Sequence, residues 1–436
     1  MTRTPIASRQ HAISLARAPI GVRSNPAGPA YPLVAWLALI GLILPPPELH
    51  IIAGANFTGG RLCVILLFFP ALYMFLQKGR KVLLSDLFAL ATAAWIIATS
   101  IYVSGLASLG SAAAAEALEF IGAYLIARAF FWEPAAQSTF IRVLGVLTIT
   151  VVVLAIADSI SGRWIVHNAL AALVQVTPPG ALYRENMIRA TSTFDHPILL
   201  GAFCSIVIPI FLYSEQKALR RMIYVSFCLV GSILTLSSAA LISSAIAIGA
   251  YIYDGMMKKL PWRWAAFWGV ILAFFVALFL MSNRPFGWLI SHLTLDPHTG
   301  YYRILIWDLA LAQIEQAPWA GAAFNAFKSE ILNTTVDSVW LVLALRFGVP
   351  AVIFLILTNV AAVWPTKKPK NNSEDLHLIR MRRAFTMVLV LFLFIGLTVH
   401  FWNYMWIFWG LCIGIRASLR ERSIGLQLRT LSASRV

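Results

Sequence analysis

Long apolar runs broken by short clusters of lysine and arginine recur along this chain from residue 31 to residue 418, and that alternation restricts it to a helical membrane architecture. A backbone crossing hydrocarbon must satisfy its own hydrogen bonds, and an α-helix does so within a single segment of about 20 apolar residues. The runs lie near 31–45, 61–77, 84–104, 115–132, 141–160, 198–214, 221–236, 239–253, 264–281, 336–363, 384–400 and 402–418. They predict an all-α polytopic membrane protein of about twelve transmembrane helices. Hydrophobic residues make up 60% and charged residues 12% of the chain, whereas a soluble domain is about 25% charged.

The basic clusters set the orientation. Lys78, Arg80 and Lys81; Lys217, Arg220 and Arg221; Lys258, Lys259 and Arg263; and Lys367, Lys368, Lys370, Arg380, Arg382 and Arg383 fall in alternate loops, which the positive-inside rule makes cytoplasmic. Both termini are then cytoplasmic. The stretch from Arg221 to Asp254 has basic residues at both ends, so it reads as two short helices turning at Ser237 and Ser238 rather than one crossing. Residues 1–30 carry Arg3, Arg9, Arg17 and Arg23 without the apolar core of a signal peptide and read as a cytoplasmic tail. Residues 31–418 form one transmembrane domain, and 419–436 a second cytoplasmic tail. The net charge of +16 follows from this topology, so nucleic acid is not an expected partner. Cys63, Cys204, Cys228 and Cys412 all lie in apolar runs and suggest neither a disulfide nor a metal site.

Two long connections remain for the outer face, about 161–197 and about 282–336, the second between spans 9 and 10. Connections of that length are usually functional. In the second, Ile304, Trp307, Leu311 and Ile314 recur at helical spacing before Pro318, which predicts an amphipathic helix on the membrane surface or capping the bundle.

Arg184 and Arg189 precede Asp195 and His196 in the first loop; Arg284, His292, Asp296, His298, Arg303 and Asp308 lie in the second. Outward cations oppose the topology bias. As a set they suit an anionic ligand, because guanidinium groups grip phosphate bidentately and keep their charge at low dielectric; individually each arginine is equally well explained by an ion pair or a lipid headgroup. Asp337 stands at the mouth of an apolar run, where it either caps the helix or serves chemistry. Glu116 and Glu119 are expected to pair with loop arginines, and Arg128 to snorkel to the cytoplasm. His196 and His400 lie near the outer boundary, where a structural role is the more common one for a lone histidine. No HExxH, P-loop, GxSxG or Asp-x-Asp motif is present, so no cofactor and no metal is expected.

Arg189-Ala-Thr-Ser-Thr-Phe-Asp-His-Pro before a span, Leu234-Thr-Leu-Ser-Ser between two short spans, Arg303-Ile-Leu-Ile-Trp307, Pro318-Trp-Ala-Gly321, and Asp337-Ser338 followed nine residues on by Gly348-Val-Pro together resemble the O-antigen ligase and polymerase superfamily, over roughly residues 185–363. The resemblance implies metal-independent transfer of a saccharide from undecaprenyl diphosphate to an acceptor glycan at the periplasmic face of the bacterial inner membrane. It implies diphosphate binding by Arg189 and Arg303, with Arg184 and Arg284 beside them, and a base at Asp337 or His196. A chain-length regulator and a flippase are the protein partners it suggests. The ligase pattern has histidine where Asp337 stands and ends on a residue other than Ala351, while Val336-Asp-Ser-Val-Trp-Leu341 is more similar to exopolysaccharide repeat-unit polymerases. The resemblance therefore favours a polymerase over a ligase.

A transporter or flippase of polysaccharide precursors is the rival class. Transporters gather charge near the bilayer midplane; here charge gathers at the outer rim, and residues 143–157 and 266–280 carry none.

Overall fold

A computed structural model describes residues 29–44, 51–52, 55–56, 58–77, 80–106, 112–175, 177–283, 288, 297–366 and 376–433. Arg284, His292 and Asp296, Lys78, Lys367, Lys368 and Lys370, and residues 1–28 of the expected N-terminal tail lie outside these.

The helices are α1 (Pro32–Leu39), α2 (Gly59–Gln77), α3 (Leu84–Ser104), α4 (Ala112–Phe130), α5 (Pro134–Ser161), α6 (Ile165–Val174), α7 (Pro197–Ser214), α8 (Ala218–Leu234), α9 (Ser238–Met256), α10 (Arg263–Met281), α11 (Pro297–Gln316), α12 (Glu330–Thr334), α13 (Val339–Phe347), α14 (Val349–Val363), α15 (Leu376–Ile395) and α16 (Tyr404–Ala433). Sheet is confined, among the described residues, to two-residue antiparallel pairs: β1 (Ile51–Ile52) with β2 (Ala55–Asn56), and β3 (Tyr183–Arg184) with β4 (Met187–Ile188). Six helices, α2, α3, α5, α7, α9 and α10, are long and apolar enough to cross a membrane, and the chain is an all-α membrane protein. The other apolar runs also coincide with helices, which are shorter, as α8 is at 17 residues, or carry internal charge, as α4, α15 and α16 do.

Two breaks refine the predicted spans. Thr235–Ser237 separates α8 from α9, with Leu236 at a left-handed φ of 50°. The run 336–363 is two helices meeting at Gly348, where φ is +78° and an added Cβ would stand 2.8 Å from the Pro318 carbonyl oxygen. Only glycine tolerates both conditions.

The middle of the bundle is α7, 89% of whose apolar window is buried, against 6% for α10 at the periphery. On α7 pack α8, α9 and α15; α16 runs along α4, which also carries α2 and α3. Gly410 and Gly414, one turn apart on α16, face α4, and a Cβ on Gly410 would come within 2.7 Å of the Phe120 carbonyl oxygen. Small residues at this spacing let two backbones approach without a hydrophobic driving force in lipid.

The parallel course of α4 and α16 defines two ends. At one, Trp406 Nε1 donates to the Glu116 carbonyl, Arg61 pairs with Glu119 at 2.8 Å and Arg346 with Glu116 at 3.7 Å. At the other, Arg80, Arg128 and Glu421 meet, and Arg263 and Arg383 both pair with Asp254. Arg382 Nη1 donates to Ser423 Oγ at 3.1 Å, which joins these two groups. Arg80, Arg263, Arg382 and Arg383, from three of the four basic clusters, thus share this second, basic end, and Arg221 of the fourth lies 5.9 Å over the ring of Tyr251, one turn before Asp254.

Two expectations are corrected. Arg128 does not snorkel: it is fully buried, with Asp86 at 2.8 Å and Glu421 at 2.7 Å, because α3 and α16 bring carboxylates to its depth. In α11 the buried ridge is Ile306, Ala310 and Ile314, while Leu311 is 47% exposed. That ridge packs with Leu332, Leu341 and Leu345 of α12 and α13 into a small second core, in which Trp307 and Ile314 of the predicted stripe take part while Leu311 does not.

Candidate functional site

The connection between α5 and α7 carries most of the site. After α5 the chain turns through α6 into the β3–β4 hairpin, whose turn residues Glu185 and Asn186 both have positive φ, 50° and 62°. The hairpin projects Arg184 and leads into Arg189. Both arginines hold the α8–α9 turn: Arg189 Nε donates to the Thr235 carbonyl at 3.0 Å and Arg184 Nη1 to that of Leu236 at 2.6 Å. Backbone completes the join, Ala190 N to the Leu234 carbonyl at 3.0 Å. Two stretches far apart in sequence therefore form one unit.

Beneath them, the Asp158 side chain is fully buried. Its Oδ1 accepts from Ile165 N at 2.8 Å, and its Oδ2 from Ser192 N at 2.8 Å and Thr191 N at 3.3 Å. Trp164 Nε1 donates to the Arg189 carbonyl at 2.8 Å, and His167 Nε2 contacts that of Phe194 at 3.0 Å. Sequence reading missed all three. The available signal was a carboxylate inside the last turn of an apolar run, a placement that is costly unless it does a job.

His196 is the N-cap of α7, and its Nδ1 accepts from Ile198 N at 3.2 Å. An Nδ1 lone pair committed to the cap leaves the proton on Nε2, so the exposed side of the ring is a donor. Burial, and then the neighbouring Arg189 charge, lower its pKa to about 4 against the opposing pull of Asp337. The ring is neutral at neutral pH.

Asp337 lies in the connection between α12 and α13. The N-cap of α13 is Ser338, whose hydroxyl donates to the Gly396 carbonyl at 3.0 Å. Asp337 Oδ1 accepts from Thr335 Oγ1 at 3.1 Å, so its carboxylate is not spent on capping. Arg303 comes from the first half of α11, and its Nε is buried without a hydrogen-bond partner.

These side chains converge. Burial lowers the Arg189 pKa to about 10, and the charges of Arg184 and Arg303 push the same way while Asp337 opposes them. Arg303 is likewise lowered by burial, stabilised by Asp337 and opposed by Arg184. Arg189 and Arg303 nevertheless stay protonated at neutral pH. Among the described residues no carboxylate lies within salt-bridge distance of Arg184, Arg189 or Arg303, so three cations face one acid and carry an excess of positive charge. Of the residues singled out in sequence, Arg184, Arg189, Arg303, His196 and Asp337 come together; Asp308 is exposed on α11.

Next to this group opens a cleft of about 150 Å³ lined by Arg61, Glu116, Glu119, Arg346, His400 and Trp402 among others. Trp402 connects the two places, with ring centroids 6.2 Å from His196 and 5.4 Å from His400. The glutamates are paired here as expected, though with arginines at helix ends rather than in loops. Asn403 Nδ2 donates to Asp195 Oδ2 at 2.6 Å and holds the α15–α16 connection to the segment before α7.

The four stretches Arg189–Pro197, Leu234–Ser238, Pro318–Gly321 and Gly348–Pro350 also meet in pairs. The first two join through Arg189 and Ala190; the last two through Val349 N, which donates to the Pro318 carbonyl at 2.8 Å. No family model and no curated protein matches the chain.

Proposed function

We propose that this protein is an integral-membrane glycosyltransferase that polymerises lipid-linked oligosaccharide repeat units, taking its donor from undecaprenyl diphosphate. In this reading the helices cross the membrane about twelve times, the basic end is cytoplasmic and the hairpin end is periplasmic. The observation that carries it is the gathering of Arg184, Arg189 and Arg303 around Asp337 with, among the described residues, no salt-bridging acid to neutralise them.

The chemistry follows from that charge. As the anomeric C–O bond breaks, negative charge grows on the diphosphate oxygens, and fixed guanidinium groups stabilise this more in the transition state than in the ground state. The acceptor hydroxyl oxygen forms the new bond to the anomeric carbon while its proton passes to the Asp337 carboxylate. Attack from the face opposite the diphosphate inverts the anomeric centre. His196, donating through Nε2–H, is positioned for a donor or acceptor oxygen rather than for proton abstraction. The neighbouring cleft, with Trp402 on one wall and glutamates on another, takes the acceptor sugar.

The test is binding to purified protein in nanodiscs. Undecaprenyl diphosphate should bind more tightly than undecaprenyl monophosphate, and Arg303→Ala should weaken the diphosphate about tenfold or more. Equal affinity for both lipids, or no effect of Arg303→Ala, overturns the diphosphate assignment.

A further inference from the structure

The basic end holds a second arrangement that the reaction does not use. Between α10 and α15 opens an apolar cleft of about 440 Å³, with Trp264, Trp268, Met387 and Val390 on its walls and Arg382 and Arg416 at its polar side. Almost nothing of α10 is buried, so this helix leaves a gap beside the bundle that in a bilayer must be filled by something apolar. Arg416 is only 3% exposed. Its Nε donates to Thr386 Oγ1 at 2.8 Å and its Nη2 to the Val363 carbonyl at 3.3 Å, while its Nη1 is buried with no hydrogen-bond partner. Among the described residues its partners are neutral, and a buried guanidinium without a counter-anion is costly.

We infer that this cleft binds an anionic glycerophospholipid, the phosphate seated against Arg416 and Arg382 and the acyl chains lying along Trp264, Trp268, Met387 and Val390. The missing anion of Arg416 and the apolar gap beside α10 then have one occupant. A basic pocket between helices at a cytoplasmic end is the setting in which lipid phosphates are held. Arg383, whose charge already serves Asp254 at 2.9 Å, forms the rim. The lipid fixes α10 against α15, and none of this depends on the reaction proposed above.

Native mass spectrometry of the purified full chain, titrated in detergent with phosphatidylglycerol, phosphatidylcholine or inorganic phosphate, tests it. Phosphatidylglycerol should be retained about tenfold better than phosphatidylcholine, and Arg416→Gln should remove that preference, as loss of one hydrogen bond to a charged group does. Because Arg416 is buried and its variant risks misfolding, Trp268→Ala, on the exposed wall, provides the second arm: it should weaken phosphatidylglycerol binding while the protein stays monodisperse. Equal retention of the two lipids, displacement of the lipid by inorganic phosphate, or full retention in Arg416→Gln and Trp268→Ala overturns the inference.

Discussion

Arg189 Nε reaches the carbonyl oxygen of Thr235 across 3.0 Å, and this bond helps tie the segment after the β3–β4 hairpin to the turn between the two short helices α8 and α9. The guanidinium plane is thereby held in place by the fold, which in the proposed transfer removes a reorganisation cost at the moment of reaction.

Arg189→Lys keeps the charge and loses the planar fork that serves Thr235 and, in the proposed reaction, a phosphate together. Polymer formation should fall about a hundredfold with the protein still folded, measured as polymer yield normalised to membrane protein. Near-normal output from the lysine variant would show that charge alone suffices.

Asp158 lies below the site and accepts three backbone N–H groups with a fully buried carboxylate. Removing it in Asp158→Ala leaves those donors unsatisfied and should cost about 3 kcal/mol, read as a lower thermal midpoint in detergent. Activity should fall with it, since the segment carrying Arg189 and His196 loses its anchor.

His196 separates two roles in one side chain. Asn is itself a good N-cap, so His196→Asn should keep the stability of α7 and reduce transfer about tenfold by deleting the Nε2–H donor, whereas His196→Ala should lose both. The pH dependence has a definite sign. The unfolded ring takes up its proton near its ordinary pKa of about 6.5, the folded ring only at about 4. Between these values the unfolded state binds the extra proton, so stability falls as pH drops from about 6.5 towards about 4. The thermal midpoint of His196→Asn should be less sensitive to pH over that window than that of the wild type.

Gly414 lets α16 lie against the Tyr124 carbonyl of α4, with no room for a Cβ. Gly414→Leu should separate the two helices and break the Arg128–Glu421 pair below them, at about 3–5 kcal/mol for a buried charge left alone. The expected readout is loss of monodisperse protein in gel filtration.

What could be read from the sequence divides along the range of the interactions concerned. Helix positions were legible because apolar runs and basic clusters are local patterns, and α2, α3, α7 and α10 begin and end within a few residues of the predicted runs. The sequence marks Arg184, Arg189, Arg303, His196 and Asp337 as candidates through two long connections and a resemblance, but no local pattern predicts that they meet; that depends on contacts between distant segments, such as Arg189 with Thr235. Arg128 was misread since its partners lie 42 and 293 positions away, and no spacing announces a carboxylate arriving from another helix. The buried face of α11 was misjudged for a similar reason: Ile306 and Ala310 are selected by the ridge of α13 opposite them, while Leu311, just as apolar, is left outside. Asp158 went unnoticed because its three donors come from backbone, which has no sequence signature.

The central claim, transfer from a polyprenyl diphosphate, is tested most directly by the lipid-linked saccharide pool of a strain lacking this protein, complemented with wild type or with Arg303→Ala. Single repeat units on undecaprenyl diphosphate should accumulate and polymer vanish in the deletion, with wild type restoring polymer and Arg303→Ala failing to do so. Finished polymer accumulating on the lipid carrier would make the protein a ligase, and an unchanged pool would contradict glycosyl transfer altogether.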